Sequence, residues 1–318
     1  MGTDSKIEWT DATVNFWWGC TKVGPGCDHC YAESFDKRVG GAHWGTGTPR
    51  RQIASAAKTL AKLNRQGGKR VFIQSMSDLF DNEVPQDWFD NAWRNICGAE
   101  NCRIQVVTKR ISMVEKRLVM AGDTYVDWRA YWPKHAGLMI TVVNRAEADR
   151  DIPRLLALKA KLGIPWVGLS MEPLLGPVDL RGLGVNPPGT SVPDIGVQLL
   201  SHGKLDWVIV GGESGPKARP MHPDWARSLR DQCQAAEVPF FFKQWGEWAA
   251  SLDRDRDDPD WRADYSRNYV DCGKSRWLNL AGGQGFHGDR FHVMRKVGKS
   301  RAGRLLDGQE HNAMPGVL

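Results

Sequence analysis

Short apolar runs alternate along this chain with amphipathic stretches, and each run ends in small or polar residues. Few architectures accept that alternation. Apolar runs of about four to eight residues suit strands buried on both faces, and the stretches between them suit crossover helices, so the units build a parallel sheet. Strands are expected near Thr13–Trp18, Val71–Ser75, Ile104–Thr108, Leu138–Val143, Trp166–Ser170, Trp207–Gly211 and Phe240–Lys243. Helices are expected near Ile53–Arg65, Pro85–Ile96, Ser112–Met120, Glu147–Lys161 and Pro223–Ala236. Pro85 and Pro223 suit a first helical turn, where a missing N–H costs nothing, and Asp87 and Asp224 complement the helix dipole. Six or seven such units predict an α/β fold: a partial (β/α) barrel of parallel strands, with functional loops at the strand C-termini.

A chain of 318 residues, 41% hydrophobic, can bury one large core. The expected organisation is a barrel over residues 1–250, carrying an N-terminal three-cysteine loop. A polar insertion and a basic C-terminal extension over 251–318 would pack on it. Asp179–Lys204 reads as a long loop, Ser251–Gly285 as a charge-dense, lid-like excursion, and Arg290–Arg304 as a basic tail. No apolar run approaches the roughly 18 residues that span a bilayer, and the first residues are polar, so the expectation is a cytoplasmic protein without a membrane partner. Lys6 stands where myristoylation of Gly2 would want Ser or Thr. The net charge of +6 is compatible with a polyanionic partner. Among the fifteen Trp, those near loop ends (Trp17, Trp18, Trp44, Trp245, Trp248) could stack on bases, although rings that fill a wide core are the plainer reading.

Seven cysteines without an extracellular signal argue against a disulfide framework. Cys97, Cys102, Cys233 and Cys272 are scattered, whereas Cys20, Cys27 and Cys30 fall in one loop with Gly24, Pro25 and Gly26. A loop of that composition can wrap an iron–sulfur cluster. Zinc, with His29 or His43 as fourth ligand, has the same C-x2-C spacing, and spacing alone leaves the two even. The chain has no second C-x2-C, whereas zinc ribbons usually pair two knuckles, which moves the balance toward iron. Three clustered thiols exceed what a nucleophile needs.

The stretch Asn15-Phe-Trp-Trp-Gly-Cys20 through Cys27-Asp-His-Cys30-Tyr-Ala32 resembles the three-Cys-motif phage protein family, which is related to radical S-adenosylmethionine (SAM) proteins. Val107–Arg110, Ser170–Gly176, Val210–Gly215, Phe242–Gly246 and Ala302–Gly308 with Met314-Pro315 extend the resemblance along most of the chain. The cysteine motif is also similar to that of the spore photoproduct lyases, radical SAM enzymes that repair a thymine dimer in DNA. Their usual C-x3-C-x2-C is here C-x6-C-x2-C, His29 replaces an aromatic residue before the last Cys, and the strand end at Val143-Asn144 lacks the Glu expected there in relatives. The resemblance implies a [4Fe–4S] cluster on Cys20, Cys27 and Cys30 with one open iron that chelates SAM. It further implies reductive cleavage of SAM to a 5′-deoxyadenosyl radical, fed by an external electron donor, with a nucleic acid or nucleotide among the candidate substrates.

The strand ends would then present Ser75, Ser77, Asp78, Lys109, Arg110, Asn144, Glu172, Glu213, Ser214, Lys243 and Gln244 at one mouth. The cofactor-binding candidates are Ser75, Asp78, Lys109, Asn144, Glu172, Glu213 and Lys243. Asp78 or nearby carbonyls would meet the SAM amino group, Lys109 or Arg110 its carboxylate, and Asn144 or Glu172 its ribose. The competing reading makes Lys109, Glu172, Glu213 and Lys243 buried ion pairs that brace the mouth. Gly283–Gly288 matches G-x-G-x-x-G without a preceding strand, and Gly298-Lys299-Ser300 lacks the leading Gly of a P-loop, so neither signals a nucleotide. Gly211-Gly-Glu213 matches a radical SAM motif in composition but lies too far along the chain. The basic tail would contact phosphates or cap the barrel. The runner-up function is a nucleic-acid-binding protein whose cluster or zinc is structural. Oligomeric state is not legible in the chain.

Overall fold

The computed structural model describes residues 4–121, 132–181, 205–254, 274–283 and 291–316. The first half forms, in order, β1 (Ala12–Thr13), β2 (Trp17–Trp18), α1 (Tyr31–Arg38), β3 (Arg51–Gln52), α2 (Ala56–Gln66), β4 (Arg70–Ile73), α3 (Gln86–Cys97), β5 (Arg103–Thr108) and α4 (Ile111–Ala121). The second half adds β6 (Ala136–Thr141), α5 (Arg145–Leu162), β7 (Val167–Met171), β8 (Trp207–Gly211), α6 (Pro223–Ala235), β9 (Phe240–Gln244), β10 (Trp248–Arg254), β11 (Ser275–Leu278), β12 (Phe291–Lys296) and α7 (Lys299–Ala302).

Seven strands make one parallel sheet in the spatial order β1, β4, β5, β6, β7, β8, β9. Every residue of β6, β7 and β8 is buried, which is why these segments read as continuous apolar runs rather than alternating ones. The main core lies between the sheet and its helices. A second cluster (Trp9, Phe72, Met139, Trp166, Trp207, Ile209, Phe241) fills the inner face. Trp9, just before β1, packs edge-on against Trp207 of β8 at 6.1 Å and lies 4.9 Å from Phe72 of β4. That contact requires a sheet curled into a half-barrel. Gly137 is part of the same packing, because a Cβ there would lie 1.9 Å from the Trp166 indole. The C-terminal tail covers the open β9 edge: Phe242 N donates to His311 O, Ala313 N to Phe240 O, and Trp207 Nε1 to Ala313 O.

The first expected strand, Thr13–Trp18, divides. Phe16 N and Trp17 N both donate to the Gln74 side chain, and the chain then leaves the barrel so that β2 can pair antiparallel with β3. The five expected helices stand within three residues of their expected bounds, but Pro85 is an N-cap, one position earlier than expected. Pro223 does occupy the first turn, with the His222 side chain accepting from Asp224 N. Ser251–Gly285 is not one loop excursion: its start continues β10, and Ser275–Leu278 is β11 of a three-stranded antiparallel sheet ordered β10-β12-β11. Residues 255–273 and 284–285 of that excursion, most of Asp179–Lys204, and Cys272 lie outside the described residues. Among the described residues no helix is long and apolar enough to cross a membrane.

Candidate functional site

The cysteine loop is shaped by its glycines. Gly19 has φ +107°, and a Cβ there would lie 2.3 Å from His43 O, so only Gly carries the chain from β2 into Cys20. A single 3-10 turn over Pro25–Cys27 follows, with the Cys27 N–H donating to Gly24 O. A Cβ on Gly24 would lie 2.7 Å from Glu147 Oε1, and one on Gly26 would lie 2.8 Å from Val143 Cγ1. The loop therefore rests on the end of β6 and the first turn of α5. Cys30 is the N-cap of α1, a helix that the sequence reading did not anticipate.

Cys20, Cys27 and Cys30 line one cavity of about 580 Å³ at the C-terminal ends of the strands. Its walls also include Gln74, Ser75, Asp78, Lys109, Glu172 and Lys243, as well as the N-terminal segment from Asp4 to Trp9. Among the described residues the group of His, Cys, Asp or Glu donors lying within 4.8 Å of one another is His222, Asp224 and His292, not the cysteines. Burial, reinforced by the Asp78 carboxylate, pushes the Cys20 thiol up to about 12; the Arg110 guanidinium opposes this, with Nη2 3.5 Å from the sulfur. Arg110 belongs to a buried network. Asp81, fully buried, accepts from Arg50 Nε at 2.9 Å and lies 3.6 Å from Arg110, while Arg50 Nη2 donates to Thr21 beside Cys20.

The expected site residues separate into three groups. Ser75, Lys109, Glu172 and Lys243 face the cavity. Lys109 Nζ donates to Thr141 Oγ1 at 3.1 Å, and Lys243 Nζ donates to Glu172 Oε2 at 2.5 Å, so this pair is the bracing ion pair weighed above. Asp78 also lines the cavity, but both its oxygens are occupied: Oδ1 accepts from Phe80 N and Thr108 Oγ1, and Oδ2 from Lys109 N. Its work is to tie β4 to the end of β5. Asn144 and Glu213 do not line the cavity. Asn144 caps α5 by accepting from Glu147 N, while the Glu147 carboxylate reaches back to accept from Val143 N, one residue before the cap.

Glu213 is held by a residue the sequence reading missed. Arg219 donates from Nη2 to Glu213 Oε1 at 2.6 Å and from Nε to Oε2 at 2.9 Å. It then crosses to the cysteine loop, where Nη1 reaches Asp28 Oδ2 at 3.0 Å and Nη2 reaches Pro25 O at 2.8 Å. His29 Nδ1 lies 3.0 Å from the same Glu213 Oε2. The loop after β8 thus clasps the cysteine loop. Burial disfavours the Glu213 carboxylate, but the bonds from Arg219 and His29 outweigh it and hold its pKa below the usual range.

Four buried polar atoms on the cavity's lining residues lack partners among the described residues: Trp9 Nε1, Gln74 Nε2, Glu172 Oε1 and Gln244 Oε1. Buried groups of this kind normally find a partner, so the wall offers two donors and two acceptors to a polar ligand.

A family described as "Protein of unknown function (DUF5131)" matches residues 4–315. No curated protein matches the chain. Among solved structures, a cysteine-to-serine mutant of spore photoproduct lyase is similar, with 13% identity and a TM-score of 0.41 over 92% of this chain and 71% of that one. A double mutant of that lyase with bound AdoMet and dinucleoside spore photoproduct has 12% identity and a TM-score of 0.37, over 89% and 68%.

Proposed function

We propose that this chain, which belongs to the DUF5131 family of proteins of unknown function, is an iron–sulfur enzyme of radical SAM type acting on a nucleic acid or nucleotide. The observation that carries the reading is the cavity itself. Three thiols from one loop line it, at the C-terminal ends of a curled parallel sheet, together with polar atoms that have no partner among the described residues.

The residues fit the group. A tetrahedral zinc with Zn–S bonds of about 2.3 Å would hold its sulfurs roughly 3.8 Å apart. The C-x6-C-x2-C loop, with Gly24, Pro25 and Gly26 inside it, can instead place each thiolate on a separate corner of a larger group. His29, a candidate fourth zinc ligand, has Nδ1 against Glu213. The likeness of the cysteine segment to the three-Cys-motif phage proteins and the spore photoproduct lyases points the same way. When bound, a [4Fe–4S] cluster and SAM would supply reductive cleavage to a 5′-deoxyadenosyl radical that abstracts hydrogen from the substrate.

The chain's own residues bind and orient. Cys20, Cys27 and Cys30 would hold the cluster, and Arg110 sets a positive charge beside Cys20 that offsets its thiolate. Lys109 is a cation available to a carboxylate, since its ammonium is engaged only by the Thr141 hydroxyl among the described residues. Glu172 Oε1 and Gln244 Oε1 would accept from an ammonium or ribose hydroxyls, and Gln74 Nε2 would donate. Asp78, Asn144 and Glu213 hold the frame.

Anaerobic reconstitution with iron and sulfide should give a brown protein with about four irons per chain. With a low-potential reductant it should convert SAM to 5′-deoxyadenosine and methionine. Stoichiometric zinc without sulfide, or a reduced cluster whose spectrum ignores SAM, refutes the proposal in favour of a structural metal.

A further inference from the structure

A groove of about 1070 Å³ adjoins the cavity, and Cys30, Tyr31, Ser75, Ser214 and Lys299 line both. Its charges do not balance. The acids are Asp28 and Glu33, and each is already paired: Glu33 with Lys22 at 3.0 Å and Lys37 at 2.6 Å, Asp28 with Arg219 at 3.0 Å. Arg38, Lys217 and Lys299 are exposed and have no acidic partner among the described residues. They come from three separate elements: α1, the loop after β8, and the first residue of α7. Three uncompensated cations therefore stand around one groove.

Tyr31 stands between the two spaces. It is 58% exposed, yet its hydroxyl donates to Ser75 O at 2.6 Å, so the ring is fixed while remaining accessible, one residue from Cys30. Cations that follow a backbone, combined with a fixed aromatic face, are what single-strand nucleic-acid sites share. An acidic peptide would use the cations and leave the ring idle. A base paired in a duplex cannot reach the ring without leaving its stack.

We propose that this groove binds a single-stranded polynucleotide, its phosphates against Arg38, Lys217 and Lys299 and one unpaired base stacked on Tyr31. Delivery of that base to the chemistry rests on the radical SAM reading; binding itself does not.

The test is fluorescence anisotropy of the cluster-reconstituted chain with labelled single-stranded DNA, single-stranded RNA and duplex DNA, at salt from about 50 to 200 mM. At least one single strand should bind more tightly than the duplex. Arg38→Ala, Lys217→Ala and Lys299→Ala should each weaken binding and each reduce the slope of log affinity against log salt by about 0.7. Tyr31→Ala should weaken binding roughly ten-fold with the slope unchanged, while Tyr31→Phe retains it. Lys62→Ala, exposed on α2 away from the groove, is the control. Undetectable binding at 50 mM salt, equal loss in the Lys62 variant, an unaffected Tyr31→Ala variant, or equal competition by polyglutamate overturns the proposal. SAM cleavage measured on the same preparation separates the two readings. Cleavage without strand binding removes the groove alone, and groove-dependent binding without cleavage removes the radical chemistry alone.

Discussion

Arg219→Ala should loosen the cysteine loop without unfolding the barrel. The substitution removes the bond to Pro25 O, a hydrogen bond from a charged donor worth about 1.5 kcal/mol at the low end suited to an exposed contact. It also removes the pair with Asp28, whose side chain is 52% exposed, worth at most about 0.5 kcal/mol. Only the His29 contact with Glu213 would still bridge the two loops. The sum, about 2 kcal/mol, corresponds to a roughly 30-fold rise in the population of the opened loop. Native-state hydrogen exchange of the metal-free chain reads this at the Cys27 and Asp28 amides, which donate to Gly24 O and Pro25 O. Both should exchange about 30-fold faster in the variant, while amides within α3 keep their protection. Arg219→Lys, which cannot span both carboxylates and the carbonyl, should recover only part of the protection. Unchanged exchange at Cys27 and Asp28, or an equal rise in α3, would refute a clasp.

Replacing Cys20, Cys27 or Cys30 by Ala should each abolish bound iron, whereas Cys97→Ala and Cys233→Ala, on helices away from the cavity, should keep it by iron assay. Gly137→Ala forces a methyl into the Trp166 indole and should cost about 1–3 kcal/mol, seen as a lower urea midpoint by Trp fluorescence. Asp307 accepts from Arg227 and Arg230, and the bonds from Arg227 foremost hold its pKa below the usual carboxylate value. A depressed folded pKa stabilises above the unfolded value and loses that stabilisation as pH falls through the folded one. The Tm difference between wild type and Asp307→Asn should therefore be full at pH 6 and begin to shrink only as pH falls below about 4; a difference that is unchanged from pH 6 down to full protonation of the carboxyl would contradict the pairing.

The strand–helix alternation by itself determined the parallel sheet, its chain-order topology and, to within three residues, the positions of its five crossover helices, but not α1 or α7. Burial on both faces leaves a one-dimensional trace: an unbroken apolar run, punctuated where the strand meets its loop. The cysteine loop was equally legible, because its thiols and glycines lie within a few residues of each other. The break after β1 was not, since it depends on Gln74 accepting from Phe16 and Trp17, 58 and 57 residues away. Nor was the division of labour at the strand ends. Asp78, Asn144 and Glu172 are all acceptors placed where a cofactor would want them. Folding assigns Asp78 to β5, Asn144 to a helix cap, and leaves one oxygen of Glu172 open to the cavity. Arg219 lies 194 residues from Pro25, and the groove's unpaired cations come from elements up to 261 positions apart, Arg38 to Lys299. Which polar groups become partners is set by the curl of the sheet, which brings distant strand ends to one rim. Local sequence carries the period of each strand but no record of which side chains that curl will join.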